Sequence, residues 1–316
     1  MMSASLAVKN TAFLFYSGLA IGLLIVAGIV LTVLRRRYSG RIDHAWAAYR
    51  GWLAIVPVLL VVYLVGRVAC IGFLGIVSAI GFREFALATG LHQHRAYTWL
   101  GYAGIFLATA ASLMTDPLTG RAGWYQLYVF LPVAIVALML VVPVLQNEAS
   151  GQLKWLGLAV LGYIYFGWMF GQLAFVANSP YAYGYLGYLV TTVAVVDVAA
   201  YAFGKALGRH SLASQISPKK TWEGACGALG VACLIPWLLA FTLPQFTPTD
   251  RIAAGLLLGI GAQLGDLVLS VFKRDLGIKD MGTTIPGHGG LLDRLDSLIF
   301  VSPLFFHYIF FRFGLG

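Results

Sequence analysis

Charged side chains are scarce in this chain. Asp, Glu, Lys and Arg make up 10% of its 316 residues, against roughly a quarter in soluble domains. So little charge cannot clothe a water-facing surface, and 60% hydrophobic residues with a mean hydropathy of +0.84 suit a lipid solvent instead. Cysteine is nearly absent as well. Cys70, Cys226 and Cys233 lie within apolar runs, with no CxxC or CxxH pairing, and read as small packing residues rather than a disulfide framework or zinc site. The chain lacks GxxxxGK[ST], GxSxG and HExxH, and it offers no obvious nucleophile for an acyl-transfer triad. GIGAQLG at 259–265 is GxGxxxG inside an apolar run, so small-residue helix packing explains it better than dinucleotide binding. Linkers rich in Pro or Ser, low-complexity tracts and repeats are missing too, which leaves one integral domain. Its basic residues line a membrane face and not a soluble platform, so nucleic acid is not an expected partner.

What the chain has is long apolar runs. Those at 11–34, 125–145 and 252–272 reach the ~20 residues a helix needs to cross a bilayer. They are unbroken, whereas barrel strands alternate apolar with polar residues. The expected fold class is therefore all-α, a polytopic integral membrane protein with about ten transmembrane helices. The spans fall near 11–34, 51–65, 67–82, 96–114, 125–146, 155–176, 184–204, 222–243, 252–272 and 295–313. The first run is too long for a cleavable signal, and Arg35, Arg36 and Arg37 follow it. Of the 21 Lys and Arg residues, 16 fall in loops 35–50, 83–95, 147–154, 205–221 and 273–294. The other side holds Lys9, Arg67, Arg121, Arg251 and Arg312. The positive-inside rule then puts both termini outside and 273–294 in the cytoplasm, and the expected location is the cytoplasmic (inner) membrane. Residues 1–150 are expected to embed the protein among membrane lipids and to offer contacts for any homodimer. Residues 151–316 are expected to form the catalytic region, with the active site at the cytoplasmic face of the C-terminal helices.

One stretch breaks the pattern. KRDLGIKDMGTTIPGHGGLLDRLDS, at 273–297, holds four basic and four acidic residues, a histidine and five glycines. Just upstream, Asp197 and Asp266 fall inside predicted spans, where an ionised side chain costs ~2.5–3.5 kcal/mol and needs a wet cavity or a partner. Ser270, Lys273 and Arg274 follow Asp266 at i+4, i+7 and i+8, so all four share one helical face. PGHGG at 286–290 reads as a tight loop offering backbone N–H groups and one imidazole. A lone loop histidine is as readily surface decoration as catalyst, so the role of His288 stays open. Asp293 and Asp296 stand at i, i+3 with Arg294 between them, at a predicted helix start. Helix capping and charge balance against Lys273, Arg274 and Lys279 account for one of these acids. They do not account for three converging on one mouth. Hard oxygen donors without His or Cys clusters point to Mg²⁺.

A second basic loop spans 204–224. Ser217-Pro218 is expected to start a turn, Lys219 and Lys220 offer ammonium donors, and Thr221 is placed to cap a helix entered by Glu223 and Gly224. Carboxylates for a divalent cation, several lysines and arginines, and glycine-rich backbone together are the equipment of phosphoryl or nucleotidyl transfer. With the site partly inside the bilayer, a lipid is the natural second substrate.

These residues resemble a known signature. Ser270-x-x-Lys273-Arg274, Lys279-Asp280, Pro286-Gly287-His288-Gly289-Gly290 and Asp293-Arg294-x-Asp296 resemble that of the phosphatidate cytidylyltransferase (CDP-diacylglycerol synthase) family. SPKKTWEG at 217–224 and DVAAYAFGKALG from Asp197 to Gly208 are similar to its second block, except that Lys205 stands where Arg is expected. The resemblance covers roughly residues 190–300. It implies that CTP and phosphatidate give CDP-diacylglycerol and pyrophosphate. It further implies a two-cation centre on Asp266 and Asp293, with Mg²⁺ and a second cation, K⁺. Asp266, Asp293, Lys273, Arg274, His288 and Asp296 would be catalytic. Asp197, Ser217, Lys219, Lys220, Thr221, Glu223, Ser270, Lys279, Asp280, Gly287, Gly289, Gly290 and Arg294 would line the substrates. Two rivals remain: a CTP-dependent enzyme acting on another lipid phosphate or alcohol, and an anion transporter. Transporters carry interrupted helices in both halves, whereas these polar motifs have no counterpart in residues 1–150.

Overall fold

Hydrocarbon offers no hydrogen bonds, so each spanning segment must satisfy its own backbone, and this chain does so as helix. A computed structural model describes residues 2–37, 43–282, 284 and 289–314. Pro286, Gly287 and His288 lie outside the described residues. The helices run in the order α1 (Ala4–Ala7), α2 (Thr11–Arg37), α3 (Asp43–Val65), α4 (Arg67–Thr89), α5 (Arg95–Leu113) and α6 (Tyr125–Gln146). α7 (Gln152–Gly162) continues through a π-helical segment, Tyr163–Met169, into α8 (Phe170–Val176). α9 (Ala182–Leu207) leads into a hairpin of β1 (Ser211–Ala213) and β2 (Ser217–Thr221). α10 (Trp222–Leu238), α11 (Pro248–Asp275) and α12 (Leu292–Phe313) complete the chain.

The protein is thus an all-α, multi-pass membrane protein, and a helix occupies the place of each expected span. Among the described residues, seven are long and apolar enough to cross a bilayer: Thr11–Arg35, Arg67–Thr89, Tyr125–Gln146, Gln152–Val176, Ala182–Leu207, Pro248–Asp275 and Leu292–Phe313. Tyr49–Val65 and Trp222–Leu238 are apolar but shorter. α5 is diluted by Tyr, Thr and Gly, and its glycines serve packing: a Cβ at Gly101 would strike Phe82, and one at Gly104 would strike Tyr163.

Two boundaries differ from the expected ones. The span near 67–82 continues to Thr89, so Arg83 and Glu84 belong to a helix and not to a loop. Ser217-Pro218 does not start a turn; it opens β2, and the turn falls at 214–216. Proline fits there because a two-stranded hairpin is all edge, where a missing N–H breaks no second ladder.

α11 packs between α10 and α12, and its glycines set the spacing. A Cβ at Gly259 would meet Ala232 and Leu229 of α10 at 2.8 Å, and one at Gly265 would meet the Asp296 carbonyl of α12 at 2.8 Å. GIGAQLG therefore does what small-residue stripes do between membrane helices. Antiparallel α11 and α12 are pinned at both ends. At one end Asp250 closes a capping box with Thr247 and accepts from Tyr308 Oη (2.8 Å) and Arg312 Nε (2.9 Å). At the other, Lys273 Nζ meets Asp293 Oδ1 at 2.9 Å.

Candidate active site

Asp266 lies nine residues before the end of α11, ~13 Å along the helix axis from its polar mouth. Its Oδ1 accepts from Ser270 Oγ at 3.3 Å, the i+4 neighbour, and its Oδ2 pairs with Lys220 Nζ at 2.6 Å. Lys220 reaches it from β2, so the hairpin lies over the α9–α11 region. Asp197, at a similar depth in α9, accepts from Ser297 Oγ of α12 at 3.4 Å. Asp296 accepts the Ser297 amide at 2.7 Å. The close approach at Gly265 draws these together, and Asp197, Asp266 and Asp296 lie within electrostatic reach of one another. Three helices thus contribute one carboxylate each, and Lys220 neutralises one of them. The remaining carboxylate oxygens are hard donors of the kind a cation takes.

Asp293 stands one turn above Asp296, and its side chain is only 7% exposed. Besides Lys273, it accepts the amides of Met281 (2.9 Å) and Gly290 (3.2 Å) at Oδ2. Asp266 and Asp293, the expected metal pair, are therefore held by different lysines. Among the described residues, no three Asp, Glu, His or Cys side chains stand at metal-ligand spacing. The donor set still fits Mg²⁺, which takes hard oxygens and usually retains waters and substrate phosphates as its other ligands.

Glu84 completes the site and was not anticipated from sequence. It is 2% exposed, and its two oxygens each accept a backbone amide at 2.8 Å, from Leu291 and Leu292. α12 has no side-chain cap of its own. Glu84 supplies one from α4, setting its charge against the positive end of the α12 dipole. The glycines around it leave no room for side chains. A Cβ at Gly290 would come within 2.8 Å of Glu84 Oε2 and the Gly282 amide, and 3.0 Å of Asp293 Oδ2. Gly289 sits at φ +80°, in the left-handed region that favours glycine, between Asp280 and Asp293.

The other expected residues sort by position. Arg274 Nε donates to the Ile216 carbonyl at 3.1 Å and ties the hairpin turn to the end of α11. Thr221 caps α10, accepting the Gly224 amide at 3.2 Å. Glu223 accepts the Arg209 and His210 amides and His210 Nδ1 (2.6 Å), so it braces the α9–β1 connection away from the acids. Ser217 is half-buried on β2, and Lys219, Lys279, Asp280 and Arg294 are exposed. Gly287 and His288 fall outside the described residues.

The arrangement has relatives. A stretch of 108 residues is 49% identical to a phosphatidate cytidylyltransferase of Synechocystis sp., covering 34% of this chain and 36% of that protein. A phosphatidate cytidylyltransferase of Rickettsia bellii is 46% identical over 110 residues, covering 33% of this chain and 48% of that protein. The uncharacterized protein YnbB of Escherichia coli is 44% identical over 106 residues, covering 34% and 36%. The chain thus spans between about a third and a half of the length of these relatives. Residues 46–312 match the cytidylyltransferase family across most of the chain, and the protein belongs to that family.

Proposed function

We propose that the protein transfers CMP from CTP to phosphatidate, giving CDP-diacylglycerol and pyrophosphate for phospholipid synthesis. The observation that carries this reading is the convergence of carboxylates from α9, α11 and α12, two of them paired with Lys220 and Lys273. Residues 1–150 would chiefly embed the protein and 151–316 carry the chemistry, at the cytoplasmic face of the inner membrane. The phosphatidate phosphate is already anionic, so no side chain need act as nucleophile or base. One of its oxygens attacks the α-phosphorus of CTP in line, a P–O bond forms, the α–β bridge breaks, and pyrophosphate leaves with the electron pair. Asp266 and Asp293 would hold Mg²⁺, with K⁺ as the second cation of the centre. When bound, Mg²⁺ supplies charge neutralisation at the α-phosphate and the departing pyrophosphate. Lys219, Lys220, Lys273 and Arg274 bind phosphates, while Asp296 and Arg294 orient the acids. The Gly290 amide donates to Asp293 Oδ2, so the glycine-rich segment itself helps to hold that acid in place.

That two of these relatives are named phosphatidate cytidylyltransferases supports phosphatidate as the acceptor here, rather than an isoprenoid phosphate or alcohol. Purified protein given labelled CTP and a panel of lipid acceptors tests this. Label should enter the lipid phase with phosphatidate and not with the other lipids. Transfer only to another lipid would replace the substrate, and no transfer with any acceptor would overturn the reading.

A further inference from the structure

Lys220 is fixed in its backbone and free in its side chain. It sits on β2, and Arg274 Nε ties the hairpin turn to the end of α11 through the Ile216 carbonyl at 3.1 Å. The next residue, Thr221, caps α10 by accepting the Gly224 amide at 3.2 Å. Gly208 packs so closely on Thr221 that a Cβ there would come within 2.8 Å of it. The Lys220 side chain, by contrast, is 26% exposed and has a flexible four-carbon stem. Its ammonium rests on Asp266 Oδ2 at 2.6 Å, while Ser270 Oγ donates to Oδ1 at 3.3 Å. Asp293 meets Lys273 at 2.9 Å, but that pair is closed. Its side chains are 15% and 7% exposed, and the Met281 and Gly290 amides hold the acid as well. Of these two lysine–aspartate pairs, Lys220–Asp266 is the one that can open without dismantling its surroundings. An ammonium and a divalent cation on one carboxylate oxygen repel each other, so they hold Oδ2 by turns and not together.

We propose that Lys220 is an exchangeable arm: it neutralises Asp266 until a divalent cation takes that oxygen, then turns on its fixed backbone toward the nucleotide phosphates. Lys220 thus reaches the triphosphate only once the acid has its metal. The inference rests on reading Asp266 as a cation ligand. It is tested on the full chain in detergent, with Mn²⁺ as the probe, followed by electron paramagnetic resonance without nucleotide. Lys220→Met should tighten Mn²⁺ binding about tenfold, because the competing ammonium has gone; that scale lies between an exposed ion pair and a hydrogen bond to a buried charge. Lys220→Gln keeps a donor beside Asp266 without the charge, should tighten binding as well, and guards against a folding defect in the methionine variant. Lys219→Met removes the same charge from the exposed neighbouring residue and should change Mn²⁺ affinity by less than about twofold. In an Asp266→Asn background Lys220→Met should also have less than about a twofold effect. Unchanged or weaker Mn²⁺ binding in the Lys220 variants would overturn the exchange. Equal tightening in Lys219→Met would do so too, by tracing the effect to net charge alone. An unmodified protein that bound no Mn²⁺ would remove the cation site and the exchange with it. If the Lys220 variants tighten Mn²⁺ binding while the unmodified protein transfers CMP to no lipid, the proposed reaction fails and the exchange stands.

Discussion

Replacing Glu84 with glutamine keeps the side chain's size and removes its charge. In the structure both carboxylate oxygens accept a backbone amide at 2.8 Å, from the two residues that begin α12. Glutamine retains one acceptor and turns an NH₂ group toward the other amide, which is buried and then has no partner. A hydrogen bond to a charged group contributes ~1.5–3 kcal/mol and an orphaned buried N–H costs ~1–3 kcal/mol, so the N-terminus of α12 should be loosened by about 2–4 kcal/mol. At ~1.4 kcal/mol per factor of ten, the docked fraction of that segment relative to undocked forms falls at least about thirtyfold. Asp293 is the next residue along, and its Oδ2 bonds to Met281 and Gly290 depend on the same docking. Glu84→Gln should therefore show a lower thermal midpoint and lose more than about threefold in turnover of CTP and phosphatidate at saturation, as docked molecules give way to undocked ones. A variant active within about threefold of the unmodified protein would refute the view that Glu84 positions the catalytic helix.

Three further outcomes follow from the same geometry. Gly290→Ala forces a methyl against Glu84, Asp293 and the Gly282 amide and should abolish turnover, whereas Gly277→Ala, at φ +66° with nothing within 4 Å, should cost only ~1–2 kcal/mol of backbone strain and leave turnover intact; equal activities in the two would contradict this. Lys220→Met leaves the half-buried Asp266 without its lysine, so stability should fall by about 1–3 kcal/mol while turnover falls about a hundredfold; a stability loss with normal turnover would reverse the assignment. Asp250→Asn breaks the pin to Tyr308 and Arg312 at the opposite end of α11 and should destabilise the protein by about 2–4 kcal/mol, with the surviving folded molecules turning over normally. Lost turnover per folded molecule would show coupling between the two ends.

The spans were legible because bilayer thickness fixes their length, and unbroken apolar runs of that length have few other readings. The Asp266–Ser270 contact and the placement of Asp293 in the first turn of α12 followed from helical spacing, which is local. The partners of the lysines were not legible. That Lys220 meets Asp266 and Lys273 meets Asp293 depends on how closely α11 approaches α12 at Gly265 and on a hairpin folding back over α11. Glu84 escaped notice because Arg83 read as the start of a basic loop; its contacts lie 207 and 208 residues away in the chain. An acid in FREFALAT, set with Arg83 between Phe82 and Phe85, was the available signal, and it required extending the helix to Thr89. Nothing in YIYFGWM marks it as π-helical, because that distinction depends on what packs around it.

The most direct test of the acid cluster as a cation site is product formation from CTP and phosphatidate as divalent metal is titrated from zero, in the unmodified protein and in Asp266→Asn and Asp293→Asn. The account predicts no CDP-lipid or pyrophosphate without metal, saturable formation with Mg²⁺, and loss of turnover in either folded variant at any Mg²⁺ concentration. Metal-independent product formation, or normal turnover in both variants, would contradict it.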